Sequence, residues 1–209
     1  MALRNRVHPD GRILALDARG TLTGNRGILH VADGVMGDAL WRLRAWITCT
    51  LDWQGRRRAV MSGRKWTELF FLDEATSLAA GHRPCAYCRR PAFVAWRNAW
   101  ADAHGPSRAP AMDAALHAAR AHPGARAMRR WITDDARALP DGTMIATEDG
   151  PALRAGDALR PWTPTGYGAP RPLPTGRVEV LTPAPTVEVL RAGYAPAPHP
   201  SLSPASAPS

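Results

Sequence analysis

Phe70-Phe71-Leu72-Asp73-Glu74-Ala75-Thr76-Ser77-Leu78-Ala79-Ala80-Gly81-His82-Arg83-Pro84-Cys85-Ala86-Tyr87-Cys88-Arg89 carries a strand end, a capped helix and a cysteine pair in one unbroken run. The aromatic start closes a strand pattern over residues 67–72. Asp73 stands where an N-cap belongs, ahead of a short helix over residues 74–80, and Gly81 supplies the C′ position that ends it. Pro84 pre-sets the backbone before Cys85 and Cys88. Two residues between cysteines let both thiolates turn towards one ion in a tight knuckle, and zinc asks for four tetrahedral ligands at about 2.3 Å for sulfur. Arg83, Arg89 and Arg90 flank the pair and favour the thiolate form that a metal needs. A redox pair is the competing reading, but thioredoxin-type pairs open a helix after a strand, whereas this knuckle follows a helix. Pro91 then suits the first turn of a helix that Gly105 closes, with Phe93, Trp96, Trp100 and Ala103 on one face.

The stretch resembles the metal-binding domain of Ada-type DNA methylphosphotriester repair proteins. That family has an aromatic strand end, a short Ala-rich helix, then Ala-Ala-Gly-aromatic-Arg-Pro-Cys-x-x-Cys. Here the counterparts are Phe70, the helix over 74–80, Gly81, His82 in the aromatic position, and Arg83-Pro84-Cys85-x-x-Cys88. The likeness spans residues 68–90, about a tenth of the chain. It implies a zinc ion held by cysteines and contact with DNA. The family places two further cysteines upstream, with three residues between them, and one of them accepts a methyl group. This chain has only Cys49 there, with Ala45 four positions before it and Trp53 four after. Three sulfur ligands plus a sacrificial thiol cannot be assembled from three cysteines, so methyl transfer in the family's manner is not expected.

Cys49 itself reads two ways, as a ligand or as a small apolar residue on a strand face with Ala45, Ile47 and Leu51. For a fourth ligand the candidates are His82, His104 and His30. His82 holds the family's packing position, while His104 ends the helix after the knuckle, where a treble-clef-like site would recruit it. The expected metal set is therefore Cys49, Cys85, Cys88 and His104, with zinc as the cofactor.

Outward from this stretch, 209 residues and 22.6 kDa suit one ordinary domain with an appendage. Hydrophobic residues at 45% exclude a wholly disordered chain. No apolar run approaches the roughly 18 residues that span a bilayer, and the first ten residues lack the apolar core of a secretory signal. Cytoplasm is the expected compartment, and three cysteines argue against a disulfide framework. The formal net charge is +9, of which residues 1–105 carry +7, so the basic character sits with the knuckle. DNA or RNA is the expected partner, contacted by Arg56, Arg57, Arg58, Arg83, Arg89 and Arg90. Most of the tryptophans of this half belong in a core, with one or two exposed rings able to stack on bases. The glycine-rich run over 19–27 reads as a turn rather than a phosphate loop. A metal-dependent hydrolase or nuclease is the alternative, built on Asp113 and His117, which stand four apart on one helix face.

The chain's organisation is expected to be α+β. A strand over 45–53 turns at Gln54-Gly55 and returns over 56–61. The break Gly-Pro-Ser-Arg-Ala-Pro at 105–110 separates a basic region, 1–105, from a helical and then β-rich region, 106–194. Helices are expected over 111–120 and 125–138, followed by short antiparallel strands between the turns at 140–142, 148–150 and 155–157. Residues 195–209, rich in Pro, Ser and Ala, are expected to be a disordered tail.

Overall fold

The computed structural model describes residues 2–55, 59–63, 65–123 and 127–202. It is an α+β protein. The N-terminal half contributes strands β1 (Arg4–Val7), β2 (Ile13–Ala15), β3 (Leu22–Asn25), β4 (His30–Ala32), β5 (Val35–Met36), β6 (Ile47–Thr50) and β7 (Leu69–Phe71). Helix α1 (Glu74–Ala79), strand β8 (Arg83–Pro84) and helix α2 (Arg90–His104) follow. A mixed sheet runs in the order β2-β1-β7-β3-β6-β8, and β4 pairs with β5 separately. Gly24 on β3 packs so closely on the Ile47 carbonyl of β6 that a Cβ there would lie 2.2 Å from it. The glycine run over 19–27 is thus used for strand pairing.

Helix α3 (Ala109–Arg120) opens the second half, with α4 (Ala184–Arg191) near its end. Between them lie β9 (Trp131–Thr133), β10 (Met144–Thr147), β11 (Gly150–Ala155), β12 (Ala158–Thr163), β13 (Gly166–Tyr167), β14 (Arg171–Pro172) and β15 (Val178–Val180). They form an antiparallel sheet in the order β13-β12-β11-β10-β15-β9, with β14 on β12. The strands expected between the turns at 140–142 and 155–157 are present. The helix expected over 125–138 is absent from its described part, 127–138, while 125 and 126 lie outside the described residues: residues 131–133 form β9 on the edge of β15, and Ala136–Ala138 makes a 3-10 turn. Trp131, Ile132 and Thr133 are β-formers, and Asp135 caps the turn by accepting from the Arg137 N–H, so the chain is extended before it and cannot be one continuous helix. Helix α4 went unforeseen, since Pro183 and Pro185 at its start read as loop.

Helix α1 sits where the layers meet, and all six of its residues are buried. Leu78 packs with Trp96, Trp100, Met112, Leu116 and Val189 of the three longer helices. Ala75 and Ala79 pack with Met144, Leu153 and Tyr167 of the antiparallel sheet. Ala80, just past its end, joins Val7, Leu69 and Phe71 of the mixed sheet. The break at 105–110 therefore does not divide the core. The cap is as expected: the Asp73 carboxylate accepts from the Thr76 N–H at 2.8 Å, and Gly81 has φ +85°. Gly81 is also tightly approached, because a Cβ there would lie 2.5 Å from Arg120 Cδ. Among the described residues no helix is long and apolar enough to cross a membrane.

The expectation of a disordered tail is corrected for residues 195–202, while 203–209 lie outside the described residues. The Ala197 N–H donates to Glu74 at 3.1 Å, Ser201 Oγ accepts from the Tyr167 N–H at 2.8 Å, and Pro196 abuts Gly142. A buried acceptor, a backbone donor and close packing hold a Pro-rich segment that loses little entropy on ordering. Truncation after Tyr194 removes these two hydrogen bonds and the packing of Leu202. It should cost at least about 2 kcal/mol, or about 4–8 °C in thermal melting for a chain of this size. An unchanged melting temperature would show the segment to be dispensable.

Candidate metal centre

Cys49, Cys85 and Cys88 come together, with their sulfurs within 4.8 Å of one another, close enough to hold a metal ion. The trio is assembled by strand pairing. β8 runs parallel to β6, with Ile47 opposite Arg83 and Thr48 opposite Pro84. The Arg83 N–H donates to the Trp46 carbonyl at 3.1 Å and the Cys85 N–H to the Thr48 carbonyl at 2.9 Å, which sets Cys85 beside Cys49. The knuckle then folds back on itself: the Tyr87 N–H donates to Cys85 Sγ at 3.4 Å, and the Arg89 N–H to the Cys85 carbonyl at 3.3 Å. Helix α2 starts immediately after, so its positive N-terminal end lies next to the sulfurs in sequence.

The environment favours thiolate at one member of the trio. The hydrogen bond from Cys49, together with backbone N–H donors at Tyr87 and Cys88, brings the Cys85 thiol down to about 5. The same sulfur–sulfur contact pushes Cys49 up, and burial pushes Cys88 up. A bound ion would supply the positive charge that lets all three ionise, with proton release.

Strand β6 presents two unlike faces. Trp46 and Thr48 are fully buried, while Cys49 looks to the opposite face and is half-buried. Cys49, Thr23 on β3 and Phe70 on β7 are direct cross-strand neighbours. They line a cavity of about 260 Å³, together with Cys85 and Cys88. Trp53, Trp66 and Tyr87 form its aromatic walls, with the Trp53 and Tyr87 rings 5.2 Å apart and edge-on. Glu68 also faces this cavity and accepts from the Met61 N–H at 2.8 Å. The packing reading of Cys49 gives way to its clustering with the knuckle. The aromatic cavity itself was not foreseen, because it depends on Trp53 and Trp66, which precede the knuckle in sequence, meeting Phe70 and Tyr87 across the fold.

The remaining expected residues go elsewhere. His104 is not brought to the sulfurs: α2 is 15 residues long, which at a rise of 1.5 Å per residue sets its last residue about 21 Å from its first. Its Nε2 lies 3.0 Å from the Pro185 carbonyl oxygen and its ring stacks on Trp100. His30 has both nitrogens occupied, by Thr67 Oγ1 and the Gly63 carbonyl. His82 is buried against Trp46 and Phe71, with Nε2 accepting from Arg26 Nε. Burial and then the Arg26 and Arg120 guanidiniums hold it well below the usual histidine range.

Arg83 is a buried partner of Asp113, donating from both Nε and Nη2 at 2.8 Å to the two carboxylate oxygens. Arg89 is tied to Glu74 at 2.9 Å. Neither guanidinium is presented to solvent as a phosphate contact, whereas Arg90 is exposed. Arg56, Arg57 and Arg58 lie outside the described residues. Asp113 and His117 do not form a site either. Both carboxylate oxygens of Asp113 are taken by Arg83, and the His117 ring packs edge-on against Trp41 and Trp46. The hydrolase built on that pair therefore has no free carboxylate edge with which to bind a cation.

The chain matches no known family model, no curated protein and no solved structure.

A structural role for Asp113 has a direct consequence. Asp113→Asn leaves a buried arginine without its counter-charge and should cost about 3–5 kcal/mol. His104→Ala, at a half-exposed helix end, should cost far less and should leave metal content unchanged. Chemical denaturation and metal analysis of the two variants check both statements; loss of metal from His104→Ala would restore it as a ligand.

Proposed function

We propose that the chain is a zinc-binding protein that engages nucleic acid at the face carrying the three cysteines. The observation that carries this reading is the clustering of three sulfurs whose cysteines line an aromatic-walled cavity. A set of three thiols selects a soft or borderline ion such as zinc over magnesium or calcium. The likeness of residues 68–90 to a zinc domain that contacts DNA supports the same ion and the same class of partner. Trp53, Trp66, Phe70 and Tyr87 offer rings on which bases can stack. The sequence between the cavity residues Trp53 and Val60 carries Arg56, Arg57 and Arg58, and exposed Arg90 follows the knuckle. The metal's role is to hold β6, the knuckle and the start of α2 in one geometry. Methyl transfer is not part of the reading, because loading the ion uses every cysteine in the chain.

Purified protein should contain about one zinc per chain, and Cys88→Ser should lose most of it. Metal-free wild type with Cys85 and Cys88 oxidised to a disulfide would overturn the zinc reading in favour of a redox pair.

Binding of labelled duplex and single-stranded oligonucleotides should be weak and salt-sensitive. Three or four phosphate contacts at a slope of about 0.9 each imply a fall in duplex affinity of about 40- to 150-fold between 50 and 200 mM salt. Replacing Arg56, Arg57, Arg58 and Arg90 together by Ala should abolish most of that slope while leaving zinc content intact. Absence of binding at 50 mM salt would sink the nucleic-acid reading.

A further inference from the structure

We infer that the ion held by Cys49, Cys85 and Cys88 takes its fourth ligand from the cavity, and that this ligand is an unstacked nucleobase donating a ring nitrogen to the metal. The inference rests on the zinc reading above and names what the same site takes. A tetrahedral ion bound by three sulfurs has one position left. Among the described residues only these three donors lie together. His30, His82 and His104 each have the nitrogens named above committed to other partners. Glu68 lines the same cavity, but its carboxylate is not among the donors that lie within 4.8 Å of one another, and its Oε2 receives the Met61 N–H. All three cysteines instead line the cavity, whose volume of about 260 Å³ is many times the roughly 30 Å³ share of a single water molecule.

The cavity's chemistry defines the occupant. Its walls are the rings of Trp53, Trp66, Phe70 and Tyr87, which favour a flat aromatic body. Trp53 Nε1 has no acceptor among the described residues, and a turn of this cavity-lining indole towards the cavity would let a ligand's carbonyl oxygen satisfy it. A ring nitrogen with a neighbouring carbonyl oxygen is the edge presented by cytosine (N3 and O2) and by guanine (N7 and O6). Stacking in the cavity would also require the base to leave its own stack, so single-stranded or locally opened nucleic acid is the favoured partner.

Cobalt(II) in place of zinc makes the coordination visible, since its d–d bands report the ligand set. Cobalt-loaded protein is titrated with imidazole, 1-methylcytosine, 9-methylguanine and 1-methylthymine, whose N3 carries a proton and cannot donate. Imidazole and the first two bases should shift the bands in a saturable way, and the thymine derivative should not. Tyr87→Ala, at an exposed wall position, and Trp53→Ala should each weaken the response to the base by about tenfold or more without loss of cobalt. Bands unmoved by every ligand in protein that binds one cobalt would overturn the open position, leaving the zinc reading intact. A response to imidazole but to neither base would overturn the nucleobase. Failure to bind cobalt or zinc at all would remove the zinc reading and this inference with it.

Discussion

Burial of α1 on every side is the constraint around which the molecule is arranged. A helix of six residues has little stability of its own, since nucleation is costly and few intrahelical bonds repay it. Here it is held by its surroundings. Its small residues let two sheets and three helices approach closely, and its two leading carboxylates reach into the C-terminal half. Asp73 accepts from the Tyr167 hydroxyl at 2.9 Å and Glu74 from the Tyr194 hydroxyl at 2.5 Å. Burial pushes the Asp73 carboxyl up, and the three donors on it work in the opposite direction. Glu74 also receives Arg89 and the Ala197 N–H, so one side chain ties the knuckle to the final described segment.

A second set of buried contacts carries that anchor to the sulfurs. Arg26 and Arg120 lie over the Trp46 ring, 4.2 and 3.9 Å from its centroid. Arg120 donates to the carbonyls of Gly81 and Arg44, and Arg26 to that of Ala80 at 3.4 Å. These guanidiniums therefore join the segment entering β6 to the end of α1, just before β8. Cation–π contacts gain strength when desolvated, and carbonyl acceptors satisfy donors that would otherwise be costly to bury. The parallel pairing of β6 with β8 follows, and with it the approach of Cys49 to Cys85. The left-handed conformation of Gly81 and its contact with Arg120 make that residue part of the same joint.

The centre thus stands on a rigid support, while its other side is open and aromatic. Two of the three arginines beside the knuckle are turned inward: Arg83 and Arg89 neutralise Asp113 and Glu74, leaving Arg90 on the surface. Basic residues beside a metal knuckle are therefore a poor count of phosphate contacts. The cavity wall, with the flat rings of Trp53, Trp66, Phe70 and Tyr87, is the more specific feature of this face.

The α+β class, the capped helix after a strand, the Cys-x-x-Cys turn, the start and end of α2 and the antiparallel strands after residue 140 were all legible in the sequence. Each depends on neighbours within a few residues: an Asp before a helix, a Gly after it, a Pro in a first turn, a turn between alternating segments. What lies across the fold was not legible. That Cys49 joins Cys85 and Cys88 depends on strand pairing between residues more than thirty positions apart. That Arg83 and Arg89 are buried depends on carboxylates at 113 and 74, and that His104 stays away depends on the straightness of a 15-residue helix. Residues 131–133 became a strand because β15 offered an edge, and residues 195–202 are ordered because the Glu74 carboxylate and the Tyr167 N–H find partners in them. Local backbone preferences are written in adjacent residues, whereas burial, charge pairing and ligand sets are properties of surfaces that meet only once the chain has folded.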